Sequence, residues 1–486
     1  MTSKESIPHH TRRFAPDVAE ADTESYRDHI STVDKEGKRI WLHPKKPSGR
    51  YFRMRKWFGY SLLAVLVVMP WIRIKGEPFL MVNVIERRFV ILGQTFWPQD
   101  IHLFVLAFLI GVIFIALFTV AFGRLFCGWA CPQTVFMELV FRRIEYWIEG
   151  DWKQQMALNR GPLNTEKVLK KGAKHLLFFG VAFAIGNVFL SYLVGSDHLM
   201  RIMREGPVEH WESFAALLIF SGIFYGVFAF MREQVCTTIC PYGRLQSVLL
   251  DRESIVVAYD HVRGEKRAKF RKGEVRSEVD KGDCIDCNAC VHVCPTGIDI
   301  RNGTQLECVN CTACIDACDD IMEAVDLPKG LIRFASEAEI SDKRPFRWTM
   351  RMKAYSAVLG VLVIALFALV LTRSDVESTV LRTPGLLFQK RDDGRISNLY
   401  SYKLVNKTNR DMPVHFELLN ADGEVQAVGA FPMVERASMH QGELFIILES
   451  HELEGYNTLL TVGVYSGDKL LEKVKTSFIG PMKRSK

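Results

Sequence analysis

No cysteine precedes Cys127 and none follows Cys318, although the 486-residue chain has twelve. Cysteines confined to one stretch exclude the disulfide scaffold by which small secreted domains offset a thin core. There is no G-x-G-x-x-G after a strand and no P-loop, so no obvious nucleotide site is present. Residues 1–56 hold thirteen Lys or Arg and no apolar run, so no secretory signal is expected there. General disorder and collagen-like repetition do not fit 48% hydrophobic and 24% charged residues. The mean hydropathy of +0.06 and net charge of +7 both average over very different segments. At ~100–200 residues per domain, the length allows three or four units.

Five segments reach the ~17–25 apolar residues that cross a bilayer: 58–74, 102–122, 175–195, 213–231 and 354–372. The first is the weakest, because Pro70 and Arg73 shorten it. Segment 79–97 carries Glu86, Arg87 and Arg88 and is expected to be interfacial or partly buried, not a sixth span. Loops 75–101 and 196–212 hold three and two Lys or Arg, whereas 123–174 holds nine and 232–353 nineteen. By the positive-inside rule, the N-terminus and the two basic segments are cytoplasmic, and the tail 373–486 is periplasmic in a bacterial inner membrane. No span carries an interior histidine, so bis-histidine haem is not expected.

The tail changes rhythm. Runs at 401–405, 414–419, 444–448, 459–464 and 473–478 have strand character, with turns such as 420–423 and 466–468 between them. This suits an immunoglobulin-type β-sandwich without an inter-sheet disulfide, a folding or partner-binding domain and not a catalytic one.

The densest signal is Cys284-x2-Cys287-x2-Cys290-x3-Cys294-Pro295, followed by Cys308-x2-Cys311-x2-Cys314-x3-Cys318. This spacing holds [4Fe–4S] clusters in bacterial ferredoxins, where the fourth cysteine of each run ligates the other cluster. Cys284, Cys287, Cys290 and Cys318 are therefore expected to hold one cubane, and Cys308, Cys311, Cys314 and Cys294 the other. All-cysteine zinc sites use two separated C-x2-C pairs instead. Asp319 stands where the first run has Pro295, which weakens the turn signal without removing a ligand. The segment is small and polar, so the clusters are expected to be needed for its folding.

The other four cysteines form a repeat. The second span runs into Cys127-Gly-Trp-Ala-Cys131-Pro132 and the fourth into Cys236-Thr-Thr-Ile-Cys240-Pro241, each followed by an amphipathic stretch, 133–149 and 242–250. Cysteines at i and i+4 of a helix share one face with Cβ atoms roughly 5–6 Å apart. The following proline suits a helix that stops or restarts. If the repeats pair, four thiols converge at the membrane edge. Soft thiolates select Cu(I), a further iron–sulfur cluster or zinc, and Arg124, Arg232 and Arg244 could favour the thiolate form. The bland alternative is four reduced cysteines that only pack helices.

Two features are weaker. His198, Met200, Met203 and His210 could form a copper patch, but ordinary interfacial residues explain them better. The basic run from Arg263 to Lys272 faces anionic lipid or solvent more readily than RNA, because it adjoins a cytoplasmic span end.

The ordered combination of polar N-terminus, spans, both C-x3-C-P motifs, twin cluster motifs and β tail closely resembles the cytochrome c oxidase accessory protein family, called CcoG, FixG or RdxA. The resemblance covers nearly the whole chain. It implies a multi-domain membrane protein: polar region 1–56, four-span domain 57–250, ferredoxin-type domain 251–353 with two [4Fe–4S] clusters, fifth helix 354–372 and immunoglobulin-like domain 373–486. The family is implicated in assembling cbb-type haem–copper oxidases by reducing Cu(II) to Cu(I). By motif match, Cys127, Cys131, Cys236 and Cys240 would handle or reduce copper, and the eight cysteines from Cys284 to Cys318 would relay electrons. The expected partners are the membrane, an unidentified cytosolic electron donor, and the oxidase catalytic subunit or a copper chaperone. No nucleic acid is expected, and the sequence leaves room for a homodimer. The C-x3-C-P repeat also occurs in polyferredoxin-type maturation subunits of periplasmic reductases. The alternative is therefore a respiratory electron-transfer subunit linking the quinol pool to a partner reductase.

Overall fold

The computed structural model describes residues 32–481 apart from 34, 35, 37, 85, 86 and 454, so most of the expected polar region 1–56, and Glu86, lie outside the described residues. Among the described residues, four helices are long and apolar enough to cross a membrane: Pro98–Phe122, Thr165–Val194, Trp211–Met231 and Met350–Leu371. Each coincides with an expected span. The weakest one, 58–74, is not among them, and its bounds are corrected. Its residues belong to a helix Arg50–Val68 and a 3₁₀ turn Met69–Trp71, and the chain is already in a strand at Arg73–Ile74. Arg50, Arg53, Arg55 and Lys56 occupy the first two turns of that helix. The apolar remainder, 57–71, is about 22 Å long at 1.5 Å per residue, so crossing the ~30 Å hydrocarbon core here requires local thinning or snorkelling of the basic side chains at its start.

The chain divides into two compact units. One contains the chain up to Val68 with Phe108–Leu190 and Arg201–Val363, and the other contains Met69–Ala107, Ser191–Met200 and Ile364–Lys486.

In the first unit, aromatic side chains join the helical segments: Phe141 stacks on Phe228 with centroids 4.6 Å apart and meets Phe178 edge-on at 4.9 Å. The ferredoxin segment packs around Val257, Ile300, Ile315, Met322 and Ile332. A two-stranded ribbon, Val256–Tyr259 against Ile332–Ala335, closes it. Asp316 of this segment accepts the Tyr51 and Phe52 backbone N–H groups at 3.0 and 2.7 Å, capping the helix Arg50–Val68.

In the second unit, segment 79–97 is no span. It folds as a small antiparallel sheet of Leu80–Asn83, Arg88–Ile91 and Gln94–Phe96, and Arg88 pairs with the buried Glu77. The tail is a sandwich. One sheet orders Gly423–Ala427, Met439–Leu448, Ile396–Asn406 and Val376–Arg382, with Gln389–Lys390 on the edge of the third strand. The other orders His415–Leu418, Asn457–Ser466 and Lys469–Ile479. Alternating residues such as Tyr400, Leu404, Leu444, Ile446, Val462 and Phe478 bury the core between them. Four of the five expected strand runs fall within these strands, and 414–419 overruns His415–Leu418 by one residue at each end.

Candidate metal centres

Both cysteine-bearing spans end in the same way. Gly123 and Arg232, each four residues ahead of the first cysteine of its motif, have positive φ of 56° and 54°. Glycine takes this conformation freely, whereas an arginine needs to be held there. The hold is visible: buried Arg232 donates two hydrogen bonds to Glu145, at 3.0 and 2.8 Å. Cys127 then sits in the short helix Leu125–Trp129, and Cys236 in a π-helical turn, Val235–Ile239. Cys131 and Cys240 are extended, with ψ of 125° and 111°, and each immediately precedes a helix opening on proline. The expected i, i+4 pair on one helical face is therefore corrected. Proline disfavours helical backbone in the residue before it, so each motif breaks between its cysteines.

The four thiols are nonetheless brought together. Burial and, after it, the nearby Cys131, Cys127 and Cys240 together push the Cys236 thiol up to about 12. Burial likewise raises Cys127 to about 11, opposed by the Arg124 guanidinium. Burial also raises Cys131, while the Gln133 and Thr134 N–H groups at the start of the next helix pull it down. Cys127 Sγ donates to Gln246 Oε1 at 2.9 Å, and Gln246 Nε2 donates to Thr119 Oγ1 at 3.2 Å. Of the three arginines expected beside the thiols, Arg124 occupies that place, Arg232 is committed to Glu145 and Arg244 is exposed. Among the described residues, no three His, Cys, Asp or Glu side chains close on one point as a ligand set for a single ion. The four thiols are neighbours, not a finished coordination shell.

The eight remaining cysteines ring two voids. Cys284, Cys287, Cys290 and Cys318 line one, and Cys294, Cys308, Cys311 and Cys314, with Cys290 again, line the other. The two C-x2-C-x2-C loops share one backbone device. The residues on either side of the middle cysteine are left-handed: Asp286 and Asn288 (φ 54° and 57°) around Cys287, Asn310 and Thr312 (52° and 67°) around Cys311. Consecutive turns of this kind form the anion-binding nests found at iron–sulfur sites. Arg301, buried, clamps the first loop, with Nη1 on Asp286 Oδ1 and Nη2 on Asn288 Oδ1, both at 2.6 Å. In the second loop Asn310 Oδ1 accepts the Val257 N–H at 3.2 Å, and Thr312 Oγ1 donates to the Cys311 carbonyl at 2.6 Å. Backbone N–H groups of Asn310 and Ala313 lower the Cys308 and Cys311 thiols against the burial that raises them. Arg55 Nη2 and Asn310 Nδ2 are buried donors without partners among the described residues. These residues fit a [4Fe–4S] group in each void.

The thiol site and the second loop touch. Cys127 packs with Val293, Val309, Cys311 and Ala313, and Gly128 lies directly on the loop backbone. Arg55 Nε donates to the Gly128 carbonyl at 2.7 Å, while Arg124 donates to the Leu306 carbonyl. Arg124 lowers the thiols of both Cys127 and Cys308, so one buried cation serves both sites. Arg142, also buried, bonds Glu138 at 2.6 Å, Glu233 at 3.4 Å and the carbonyl of Pro295 at 3.3 Å. Gln246, Arg55, Arg301 and Arg142 were not singled out from the sequence. A polar Thr119 near the end of a span is the one sequence hint toward Gln246.

Apolar spans, paired ferredoxin loops and an immunoglobulin-like tail define an iron–sulfur electron-transfer protein of the membrane. Residues 231–337 match the family model described as a 4Fe-4S dicluster domain, 103–153 one described as a 4Fe-4S binding domain, and 366–481 one described as an IG-like fold at the C-terminal of FixG. The chain is 36% identical over 386 residues to protein RdxB of Cereibacter sphaeroides, covering 76% of this chain and 80% of that one. It is 34% identical over 410 residues to the nitrogen fixation protein FixG of Rhizobium meliloti, covering 76% and 77%. It belongs to the FixG/RdxA family. A crystal structure of a FixG-related protein from Vibrio parahaemolyticus aligns with 23% of this chain and all of that one, at 18% identity and a TM-score of 0.20.

Proposed function

We propose that this protein is a cupric reductase serving the assembly of a cbb-type cytochrome c oxidase. When bound, the two clusters supply single electrons. Cys284, Cys287, Cys290 and Cys318 would hold one, and Cys294, Cys308, Cys311 and Cys314 the other. The substrate, Cu(II), is taken by thiolates of Cys127, Cys131, Cys236 and Cys240, gains one electron and leaves as Cu(I) for the oxidase catalytic subunit or a copper chaperone. Soft sulfur ligands favour the reduced ion. Their raised thiol pKa values mean that metal capture releases protons. The observation that carries this reading is the packing of Cys127 and Gly128 against the loop of Cys308 and Cys311.

The N-terminal region, 123–174 and 232–353 are assigned to the cytoplasm and the tail to the periplasm. The count of basic residues supports this. This parity needs the helix Arg50–Val68 with the turn Met69–Trp71 to cross as the fifth span.

The test replaces Cys127, Cys131, Cys236 and Cys240 with alanine. Copper binding and Cu(II) reduction should disappear while both cluster signals survive. A quadruple variant that keeps copper binding and oxidase assembly overturns the proposal. A second reading has its own support, because the 4Fe-4S binding family model covers Cys127 and Cys131. On that reading the four thiols hold a third cluster, and fully loaded protein contains about twelve iron atoms in place of about eight.

A further inference from the structure

We propose that the basic loop 263–281 beside Cys287 is the docking surface for a small acidic electron-carrier protein. Cys287 is the exposed one of the twelve cysteines, so its set is where an outside electron can arrive. The loop is stitched to that set. Ala268 N–H donates to the Cys284 carbonyl at 3.2 Å. Arg276, buried beneath the loop, donates to the carbonyls of Gly282, Ala268 and Cys284 at 2.6, 3.0 and 3.0 Å.

The loop carries eight Lys or Arg against four Asp or Glu. Arg263, Lys266, Arg267 and Lys281 pair with Asp283, Asp280, Glu265 and Glu274. Lys269, Arg271 and Lys272 are exposed and make no ion pair among the described residues, and the apolar Phe270 and Val275 stand exposed among them. Glu278 is also exposed, but apolar contacts among charges mainly of one sign match the anatomy of a transient protein interface, in which the rim charges steer encounter. Redox encounters of this kind need little area. An anionic headgroup could answer the charges but leaves unexplained why they are tied to the set with the exposed ligand. In the step served, one electron would leave the carrier's reduced centre, which is thereby oxidised, for the iron–sulfur group that Cys284, Cys287, Cys290 and Cys318 would hold. No bond forms and no proton moves.

This rests on the proposed electron relay, and the test keeps the two separable. The full chain, cluster-loaded in nanodiscs, is titrated with an acidic plant-type [2Fe–2S] ferredoxin as probe, and its reduction by the photoreduced probe is followed. The variant carries Lys269→Glu, Arg271→Glu and Lys272→Glu. A control of equal charge change carries Lys390→Glu, Lys473→Glu and Lys475→Glu in the tail. At low salt the loop variant should bind the probe on the order of tenfold more weakly, be reduced correspondingly more slowly and lose most of the salt dependence, with its iron content intact. The control should match wild type. Equal behaviour of variant and control, or binding of the probe without salt dependence, overturns the proposal. So does an effect of the variant confined to discs containing phosphatidylglycerol and absent with phosphatidylcholine alone, which assigns the loop to lipid. Dithionite separates the readings. Copper reduction driven by dithionite without probe binding sinks the docking surface alone, and cluster reduction by the probe without copper reduction sinks the cupric reductase alone.

Discussion

A Cβ on Gly128 would stand 2.3 Å from the carbonyl oxygen of Val309 and 3.0 Å from the backbone of Asn310. Only a residue without a side chain lets the first C-x3-C-P helix rest on the second cysteine loop. Gly128→Ala must therefore push backbone from backbone. It should fold with a loss of about 1–3 kcal/mol and keep its iron. Its dithionite-driven Cu(II) reduction should slow on the order of tenfold, since small misplacements of reacting groups are expensive. Thermal unfolding and stopped-flow copper reduction check this. A destabilised variant with an unchanged rate makes the contact structural only.

Arg301 holds two left-handed residues of the first loop, Asp286 and Asn288, and among the described residues no such clamp spans Asn310 and Thr312 in the second. Arg301→Lys keeps the charge but cannot fork between two acceptors. Arg301→Ala also strips a buried cation from Asp286 and Asp299, a change that costs about 3–5 kcal/mol. Both variants should lose the set at Cys287 selectively, alanine the more completely. Iron content should fall toward half while the other cluster's paramagnetic signal persists. Loss of both signals together would show that the two loops fold as one unit.

Much of this site was legible from spacing. Regular intervals between cysteines survive folding because each interval is set by one local turn, and four of the five strand-rich runs lie next to glycine- or aspartate-containing turns. The limits are equally physical. The extended Cys131 and Cys240 follow from Pro132 and Pro241, a local rule outweighed by the helical periodicity on either side. The left-handed Arg232 carries no sequence signal, because its conformation depends on Glu145, 87 positions away. The first helix was overrated because its apolar run was counted through Ile74, past the point where the chain turns into a strand. The basic residues of 123–174 entered the topology count without regard to burial. Arg142, Glu145, Glu149 and Lys174 instead join in a buried ion network.

Arg232 tests how that network and its backbone trade off. Burial alone would raise the Glu145 carboxyl, but Arg232, then Lys174 and Arg142, hold it below the usual carboxylate range. Such a group contributes stability above its unfolded pKa near ~4.3, lost as pH falls through the folded value. Arg232→Gly relaxes a left-handed residue, worth about 1–3 kcal/mol, yet removes the closest partner of a buried carboxylate and leaves it, among the described residues, only Lys174 at 3.7 Å, a loss of up to about 3–5 kcal/mol. The net effect should be destabilising at neutral pH. Adding Glu145→Gln should recover most of the loss. Denaturant unfolding of the single and double variants measures both terms, and a single variant as stable as wild type refutes the assignment.

His43 makes the segment after Arg39 pH-sensitive. Its Nδ1 lies 3.2 Å from Gln155 Oε1 and its Nε2 3.0 Å from Asn159 Nδ2, so the neutral ring donates at one nitrogen and accepts at the other. Protonation would set two donors against each other at Nε2. Burial, the largest cause, lowers the His43 pKa, although the Gln155 bond raises it. A histidine with a depressed folded pKa stabilises the fold above its unfolded value of ~6.5 and loses that contribution as pH falls toward the folded value. The same segment lies on the cluster loops: Lys45 N–H donates to the His292 carbonyl at 2.7 Å, and Leu42 fills the space over Gly297. Amide protection factors across 40–46, taken relative to the intrinsic exchange rate at each pH, should therefore fall between pH 7 and pH 5 while the tail sandwich stays protected. His43→Gln can donate and accept without titrating, so it should abolish that pH dependence. A loss of protection that persists in His43→Gln would place the sensor elsewhere.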